Sequence, residues 1–294
     1  MLYVCPTPIG NLQDVTLRVL DTLKQVELIA CEDTRHTRIL LARYGISTRL
    51  VSFHDYNEEQ RQGMLLPLLR DGRDIAVVSD AGMPGLSDPG FSLVRACAKE
   101  GIAVTVLPGA SAIPTALVLS GLSSDRFAFV GFLARGKAKL LEQLARFEGT
   151  GATLVAFESP RRIEASLAAI AERWPERPLV VCRELTKIHE EAIRGMAVEV
   201  LERLAKPVRG EIVLVMGAGG GAAAGAAGPG PAGAGGSFPP APAGLEERAR
   251  GALVELRALG VGTKRAAALV SQLTGLPARR AYELAVSTDR QAEK

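Results

Sequence analysis

Short apolar runs alternate with amphipathic stretches along most of the chain, and this alternation predicts strands connected by helices. The run Ile75–Val78 is apolar at every position, which is typical of a strand buried on both faces of a parallel sheet. We therefore predict an N-terminal α/β domain over residues 1–120. Its predicted strands cover residues 2–5, 28–31, 50–53, 75–78 and 103–107.

The spacing of the apolar runs changes after residue 120, although strands and helices still alternate. This pattern predicts a second α/β domain over residues 121–216. Its predicted strands cover 127–132, 153–157, 179–182 and 212–215, and its predicted helices cover 138–147 and 163–173.

The composition changes sharply at residue 217. Residues 217–244 contain only Gly, Ala and Pro apart from Ser237 and Phe238, which predicts a flexible linker. The rest of the chain has a helix-turn-helix-like pattern, so we predict a small all-helical module at 245–290. Its helices are expected at 245–259, 264–273 and 277–286.

Charge adds one detail to this picture. The formal net charge of +3 is too small to indicate a nucleic-acid binder by itself. The basic excess lies at the C-terminus, because residues 245–294 hold nine Lys and Arg against six Asp and Glu. We expect Arg279 and Arg280, on the last predicted helix, to face a phosphate backbone. The alternative is a solvated helical appendage used for dimerisation.

Cysteine usage and hydropathy exclude several classes of protein. The four cysteines form no C-x-x-C pair, and with three scattered histidines they give no metal-ligand spacing, so no metal is expected. They are predicted to be buried free thiols in a reducing compartment. The chain shows neither a signal sequence nor an apolar run long enough to span a bilayer. These features predict a cytoplasmic protein.

The loop that follows Ile75–Val78 is the first candidate for a site. Residues 79–90 are rich in glycine and proline and carry Asp80 and Asp88, and open α/β sheets bind ligands at the carboxyl ends of their strands. Asp88 and Pro89 are expected to open the next helix as its N-cap and first residue. The alternative is an ordinary strand–loop–helix corner.

Other predicted strands also end in segments suited to a site. The loop at 6–11 lacks the G-x-G-x-x-G pattern, which argues against a nicotinamide cofactor. The small residues at 108–112 would let backbone N–H groups approach a ligand, although tight strand–helix packing explains them equally well. Polar clusters follow further strands at 32–37, 54–59, 158–162 and 183–187.

Several of these segments together resemble the tetrapyrrole methylase superfamily, and within it the bacterial small-subunit rRNA (cytidine-2′-O)-methyltransferase branch. The resemblance covers about residues 2–216, with the motifs in the same order. The helical tail also resembles that branch, whereas the long linker departs from it. The motifs are L-Y-V-C-P-T-P-I-G-N-L (2–12), C-E-D-T-R-H-T (31–37), H-D-Y-N-E (54–58), V-S-D-A-G-M-P-G-L-S-D-P-G (78–90), L-P-G-A-S-A (107–112), E-S-P-R-R (158–162) and C-R-E-L-T-K (182–187).

The resemblance implies a homodimer whose two α/β domains hold S-adenosylmethionine in the cleft between them. It also implies which positions of this chain contact the cofactor. Carried over by motif, these are Pro8, Ile9, Gly10, Asp80, Met83, Ser111, Ala112, Phe157 and Gly210.

The implied reaction is attack of a ribose 2′-hydroxyl on the sulfonium methyl group. Orientation supplies much of the rate, and a general base would add about 10²–10⁴-fold. Glu158 and Glu184 are the candidate bases, with Lys187 offsetting negative charge, and Asp33 and His54 are alternatives from the first domain. For each of them the alternative is a structural hydrogen-bonding role at a strand end.

The implied partner is small-subunit ribosomal RNA within the ribosomal subunit. Cationic side chains at strand ends would contact phosphates and so position the RNA. Two competing functions are a small-molecule methylase of the corrin pathway and a non-catalytic RNA-binding assembly factor. The expected RNA-binding residues are Arg35, His54, Arg161, Arg162, Arg183, Arg279 and Arg280.

Overall fold

A computed structural model describes residues 1–54, 56–218, 245–258, 261–274 and 278–292. The chain divides into two compact units, Met1–Gly220 and Gly221–Lys294. The first unit contains two five-stranded sheets, and the described part of the second unit is helical. This architecture confirms the predicted fold class of two α/β domains and an all-helical module.

The first sheet is entirely parallel, with the strand order β3-β2-β4-β1-β5. Every predicted strand of this part is present, with ends that differ by at most one residue. Because β1 and β4 are neighbours, the loops that follow them leave the same edge of the sheet side by side. The strands are β1 (Leu2–Val4), β2 (Leu28–Cys31), β3 (Arg49–Ser52), β4 (Ile75–Val78) and β5 (Val104–Val106).

Helices cover both faces of this sheet, and a separate apolar core lies on each face. Capping side chains mark some helix starts: Thr16 accepts a hydrogen bond from the Val19 amide, and Asp33 accepts one from the Arg35 amide. β4 is buried at all of its positions, as its uninterrupted apolar pattern predicts. The helices that cover this sheet are α1 (Leu17–Gln25), α2 (Thr34–Arg43), α3 (Glu58–Arg70) and α4 (Phe91–Lys99), and α5 (Ala112–Ser120) follows them in the chain.

The helix α4 was expected at about residues 91–99 and is found there, but the capping roles expected of Asp88 and Pro89 are wrong. The helix begins at Phe91, after Gly90, whose φ of 124° is open to glycine and strained for other residues. The Gly85 amide donates to the Pro89 carbonyl, so residues 85–89 form a turn instead of the first helical turn. Asp88 is therefore part of the loop.

The second sheet has the order β6-β7-β10-β8-β9, in which β6 and β7 are parallel and the other pairs are antiparallel. Two elements of this part, β9 and α8, were not predicted from the sequence. β9 is an edge strand with polar Glu191 and Arg194, so it lacks a continuous apolar run. The elements are β6 (Phe127–Phe132), α6 (Lys137–Ala145), β7 (Thr153–Glu158), α7 (Ile163–Arg173), β8 (Pro178–Arg183), β9 (Glu191–Met196), α8 (Ala197–Arg203) and β10 (Ile212–Met216).

The two sheets of the first unit are joined by apolar contacts. Ile113, Ala116 and Leu117 of α5 belong to one buried cluster with residues of β7, β8 and β10, and Ile9 from the loop after β1 belongs to it as well. Helix α5 follows the first sheet in the chain but packs on the face of the second. The domain limits at residues 120 and 216 stay predictions.

The second unit contains three described helices around an apolar core of alanine, leucine and valine side chains. Most of the predicted linker, residues 219–244, lies outside the described part of the chain. No helix in the described ranges combines the length and apolar character that a membrane crossing requires. The helices are α9 (Leu245–Ala258), α10 (Thr263–Thr274) and α11 (Ala278–Ala292).

Candidate functional site

The loops that follow β1 and β4 are joined by backbone hydrogen bonds. The Thr7 amide donates to the Gly82 carbonyl, and the Gly82 amide donates to the Thr7 carbonyl, both at 2.9 Å. The Thr7 hydroxyl donates to the Ser79 carbonyl at 3.0 Å and is buried. A positive φ at Gly82 lets the chain turn at this bridge. The two loops therefore form one wall with two sides.

One side of this wall faces a cavity of about 320 Å³ between the two α/β parts of the first unit. The cavity is closed on its remaining sides by four further segments. These are the start of α5, the ends of β6 and β7 and the start of β10. Most of the lining is apolar, which is typical of a small-molecule site. The structure brings together seven of the predicted site residues in this lining: Ile9, Met83, Ser111, Ala112, Phe157, Glu158 and Gly210.

The N-terminus of α5 opens into this cavity. Ser111 occupies the N-cap position, lines the cavity and makes no side-chain capping bond, and Ala112 and Ile113 follow it in the lining. The first backbone N–H groups of a helix have no partner within the helix and carry partial positive charge. This end of the cavity can therefore bind a carboxylate. An apolar chamber of this size with one anion-binding end fits the amino-acid portion of S-adenosylmethionine.

The other side of the wall faces a smaller cavity of about 40 Å³, which Pro8 and Asp80 line together with Thr37. The Asp80 carboxylate accepts a hydrogen bond from the Asp33 amide at 3.0 Å, which ties the end of β4 to the end of β2. Neither Pro8 nor Asp80 is in the lining of the large cavity. Pro8 and Asp80 therefore lie among residues that follow the strands of the first sheet, on the side away from the large cavity.

Gly10 also lies outside the large cavity's lining, and it has a packing function. A Cβ atom at this position would lie 2.5 Å from Lys187 Cγ and 2.8 Å from the Leu185 carbonyl oxygen. The adjacent Asn11 amide donates to the Thr186 hydroxyl at 3.0 Å. Only glycine allows the loop after β1 to approach the loop after β8 this closely.

Glu158 is a buried structural carboxylate as well as a cavity residue. Its side chain has no solvent exposure, and Arg162 contacts Oε1 at 2.5 Å. The Ser159 amide donates to the same oxygen and the Ser166 hydroxyl donates to Oε2, both at 2.6 Å. Both oxygens thus accept from donors of the same loop and of α7, so the carboxylate holds the E-S-P-R-R loop in place.

Glu184 and Lys187 form an ion pair that extends to Glu211. Lys187 Nζ lies 2.9 Å from Glu184 Oε1 and 3.0 Å from Glu211 Oε2. Hydrogen bonds from Lys187 and from the Glu211 amide lower the pKa of Glu184. Burial lowers the pKa of Lys187, but its hydrogen bonds to the two carboxylates outweigh burial and raise that pKa. The pair stays charged at neutral pH, which makes Glu184 a weak base.

The backbone around this pair is strained. Glu184 and Thr186 have φ values of 52° and 63°, which non-glycine residues rarely adopt. Gly210 permits the arrangement, because a Cβ atom there would lie 2.5 Å from the Glu184 carboxyl group. Strained residues of this kind cluster at functional sites. The loop after β8 therefore packs against Gly210, a residue of the cavity lining.

Among the expected RNA-binding residues of the first sheet, Arg35 is exposed and pairs with Asp33 at 2.7 Å. Hydrogen bonds from the Arg35 side chain and amide lower the pKa of Asp33 to about 2, so this alternative base is fully ionised and paired at neutral pH. His54 is held by Asn57, whose side-chain oxygen accepts from the His54 amide at 2.9 Å. Both Arg35 and His54 follow strands at the carboxyl edge of the sheet.

The remaining predicted cations have different surroundings. Arg161 is exposed beside the cavity residue Pro160, and Arg162 also donates to the Leu133 carbonyl at 3.1 Å. Arg183 pairs with Glu191 at 2.8 Å. In the second unit, Arg280 is exposed and contacts Glu283 at 3.2 Å, whereas the side chain of Arg279 is outside the described part of the chain.

Several residues of the lining were not predicted as site residues, among them Glu211, Leu86 and Phe132. Asp88 was placed in the candidate loop but was assigned to a helix start, and Glu211 is a single acid next to a predicted strand. Phe132 ends an apolar run that reads as an ordinary strand. A bulge signal was present, because a glycine inside an apolar run indicates one. The described residues contain no group of three or more His, Cys, Asp or Glu that could hold a metal ion.

Comparisons with known proteins agree with this geometry. The family model described as "Tetrapyrrole (Corrin/Porphyrin) Methylases" matches residues 1–201. A "Ribosomal RNA small subunit methyltransferase I" of Synechocystis is 40% identical over 98% of this chain and 98% of its own length. The protein of the same name from Thermotoga maritima is 44% identical over 73% of this chain and 97% of its own length.

Solved structures show the same fold at lower identity. Uroporphyrin-III C-methyltransferase from Thermus thermophilus has a TM-score of 0.51 and 23% identity, over 74% of this chain and 93% of its own. Diphthine synthase has a TM-score of 0.55 and 12% identity, over 74% of this chain and 89% of its own. Both are similar to this chain in fold.

Proposed function

The chain belongs to the tetrapyrrole (corrin/porphyrin) methylase family, and from this premise we propose that it methylates the ribose 2′-hydroxyl of a cytidine in small-subunit ribosomal RNA, with S-adenosylmethionine as the methyl donor. The observation that carries the proposal is the cavity between the two α/β parts, lined by residues of four of the recognised motifs. Relatives with the rRNA methyltransferase name that match over nearly their whole length support the same substrate class.

The cofactor pocket of this proposal is built from both sheets. Ile9, Met83 and Phe157 supply its apolar walls, and the start of α5 at Ser111 and Ala112 receives the carboxylate. When bound, S-adenosylmethionine supplies a methyl group activated by its sulfonium charge. Gly210 lies in the lining and packs against the Glu184 carboxyl group, which leaves no space for a side chain there.

The protein's contribution to the reaction is mainly orientation. The oxygen–carbon bond to the methyl group forms as the carbon–sulfur bond breaks, and the hydroxyl proton leaves to a carboxylate. Fixing the reacting atoms about 3–3.5 Å apart accounts for roughly 7–11 kcal/mol in well-aligned reactions. We propose Glu211 as the proton acceptor, because it lines the cavity and its side chain is 71% exposed. Glu184 and Lys187 would position it, and Glu158 would hold the loop of Arg162.

The proposed partners are the small ribosomal subunit and a second copy of this chain. The exposed Arg161 and the partly exposed Arg162, next to cavity residues, would contact phosphates of the RNA. Arg35, His54 and Arg183 at other strand ends would extend that contact.

The test is transfer of labelled methyl from S-adenosylmethionine to isolated small subunits, with naked rRNA and a corrin precursor as parallel acceptors. We expect label in the subunit RNA, recovered as an alkali-stable dinucleotide. Label in the corrin alone would support the small-molecule alternative, and bound cofactor without any transfer would support the assembly-factor alternative.

Two carboxylate variants examine the proton acceptor in the same assay. Glu211→Gln is expected to lower kcat by about 10²–10⁴-fold, the usual contribution of a general base. Asp88→Asn is the matched control, because Asp88 is the other accessible carboxylate of the lining. A loss confined to Asp88→Asn would transfer the role to Asp88.

A further inference from the structure

Strand β6 contains a bulge immediately before its last residue. Phe129 pairs with Val155 and Phe132 pairs with Phe157, so three steps along β6 match two steps along β7. Gly131 has a φ of 73°, in the left-handed region that glycine adopts without strain. The extra residue is the mark of a β-bulge, a feature that re-aims side chains next to active sites.

The bulge changes the face on which Phe132 lies. In a regular strand Phe132 would share a face with Ala128 and Val130, which pack against the core on the far side of the sheet. Instead it lies with Phe129 on the face of the cavity, where its ring meets Phe157 edge to face with centroids 5.4 Å apart. The contact fixes the ring, yet 56% of Phe132 remains exposed.

A second exposed apolar side chain lines the same cavity. Leu86 belongs to the loop after β4 and is 44% exposed. It comes from the first sheet, whereas Phe132 comes from the second, so the two line the cavity from different sheets. Large apolar side chains exposed at a ligand cavity indicate a ligand that covers them.

We propose that Phe132 and Leu86 form an apolar clamp for the base of the nucleotide that is methylated. This inference rests on the proposed function and names the part of the site that holds the RNA base. Enzymes that do chemistry on a base hold the extruded nucleotide by stacking its base between aromatic and apolar side chains. An enzyme that acts on the ribose of one nucleotide must hold that nucleotide in place as well. Stacking on an aromatic ring also tolerates any base, because every base has a π-face.

The exposure of the ring favours the RNA base over the cofactor as occupant. The carboxylate-binding end of the cavity is at α5, and the walls beside it, Ile9 and Ile113, are buried. Phe132 is open to the solvent from which RNA arrives. A cation also lies next to it, because Arg162 donates to the carbonyl of Leu133, the following residue. A phosphate of the same nucleotide strand could therefore be bound beside the stacked base.

The test compares Phe132→Ala with Phe132→Tyr, which keeps the ring, and with Leu86→Ser. Phe127→Ala is the matched control, because Phe127 is an exposed phenylalanine at the other end of β6 and does not line the cavity. The readouts are kcat/KM for isolated small subunits, the Kd of S-adenosylhomocysteine by calorimetry, and the oligomeric state by light scattering.

Phe132→Ala is expected to lower kcat/KM for subunits by about 5- to 150-fold, the range for loss of one base–aromatic stack. Leu86→Ser should lower it less, and Phe127→Ala should leave it near the wild-type value. Phe132→Tyr keeps the ring and should recover most of the kcat/KM that Phe132→Ala loses. The Kd of S-adenosylhomocysteine should be unchanged in all of them.

Equal activity of Phe132→Ala and Phe127→Ala would overturn the clamp while leaving the proposed function standing. If Phe132→Ala also raised the Kd of S-adenosylhomocysteine, the Phe132 ring would belong to the cofactor site. If Phe132→Ala dissociated a dimer, the ring would belong to a subunit interface. Either result would overturn the proposal. Wild-type protein that transfers no methyl group to subunits would overturn the proposed function and the clamp together.

Discussion

At the scale of single residues, Glu184 makes a testable contribution to stability. Its carboxylate accepts hydrogen bonds from Lys187 and from the Glu211 amide, and these lower its pKa below the ordinary value of 4.5. A group whose pKa is lower in the folded state stabilises the fold above its unfolded pKa. That stabilisation is lost as the pH falls through the folded pKa.

We therefore expect Glu184→Gln to lower the free energy of unfolding by about 1.5–3 kcal/mol at neutral pH, the usual range for a hydrogen bond to a charged group. The difference from wild type should shrink as the pH falls below 4.5. Urea unfolding across this pH range measures it. Glu176→Gln, an exposed carboxylate elsewhere in the first unit, is the control. A difference independent of pH would contradict the ion-pair explanation.

At the scale of elements, the strands were predictable because burial on one or both faces leaves an apolar pattern. β2, β4 and β6 were predicted with their observed bounds. β9 escaped prediction because an edge strand buries little and carries polar residues. The capping roles of Asp88 and Pro89 were misjudged because these residues satisfy the local preferences of a helix start, whereas the positive φ at Gly90 ends the loop two residues later.

The candidate site was less predictable than the strands, because a cavity depends on contacts between distant loops. The motifs indicated the loops correctly, and Ile9, Ser111 and Phe157 line one chamber. They did not indicate which side of a loop faces that chamber, and for this reason Asp80 lies on the other side of the wall. Backbone bridges such as the one between Thr7 and Gly82 leave no sequence signal.

The contact between the loops after β1 and β8 gives a prediction at the same scale. Gly10→Ala would bring a Cβ atom within 2.8 Å of the Leu185 carbonyl oxygen, a backbone atom that cannot move alone. We expect a destabilisation of about 1–3 kcal/mol, as for other overpacked sites, and weaker binding of S-adenosylhomocysteine. Thermal unfolding and calorimetry measure the two effects.

Gly63→Ala is the matched control for that substitution. Gly63 lies inside α3, and a Cβ atom there would have no heavy atom within 4 Å. Alanine should stabilise this helix by roughly 0.5–1 kcal/mol. If Gly10→Ala were as harmless as Gly63→Ala, the close approach of the two loops would not matter for the cavity.

At the scale of the whole molecule, the two units are expected to have different functions, one in catalysis and the other in RNA binding. The cavity and all of its lining belong to Met1–Gly220, and the basic excess of the chain belongs to residues 245–294. The relative from Thermotoga maritima is aligned over 97% of its own length with 73% of this chain. The first unit is therefore expected to carry the chemistry, and the helical unit to add affinity for RNA.

A chain truncated after residue 218 tests whether the helical unit contributes to RNA binding and not to catalysis. We expect it to fold, because its sheets and their cores are complete, and to bind S-adenosylhomocysteine with the full-length Kd. Its KM for small subunits should rise with kcat unchanged. The salt dependence of subunit binding should also become shallower, because each lost phosphate contact removes about one unit from the slope of log K against log salt. Equal KM and equal salt dependence in the two chains would show that the basic helices do not touch the RNA.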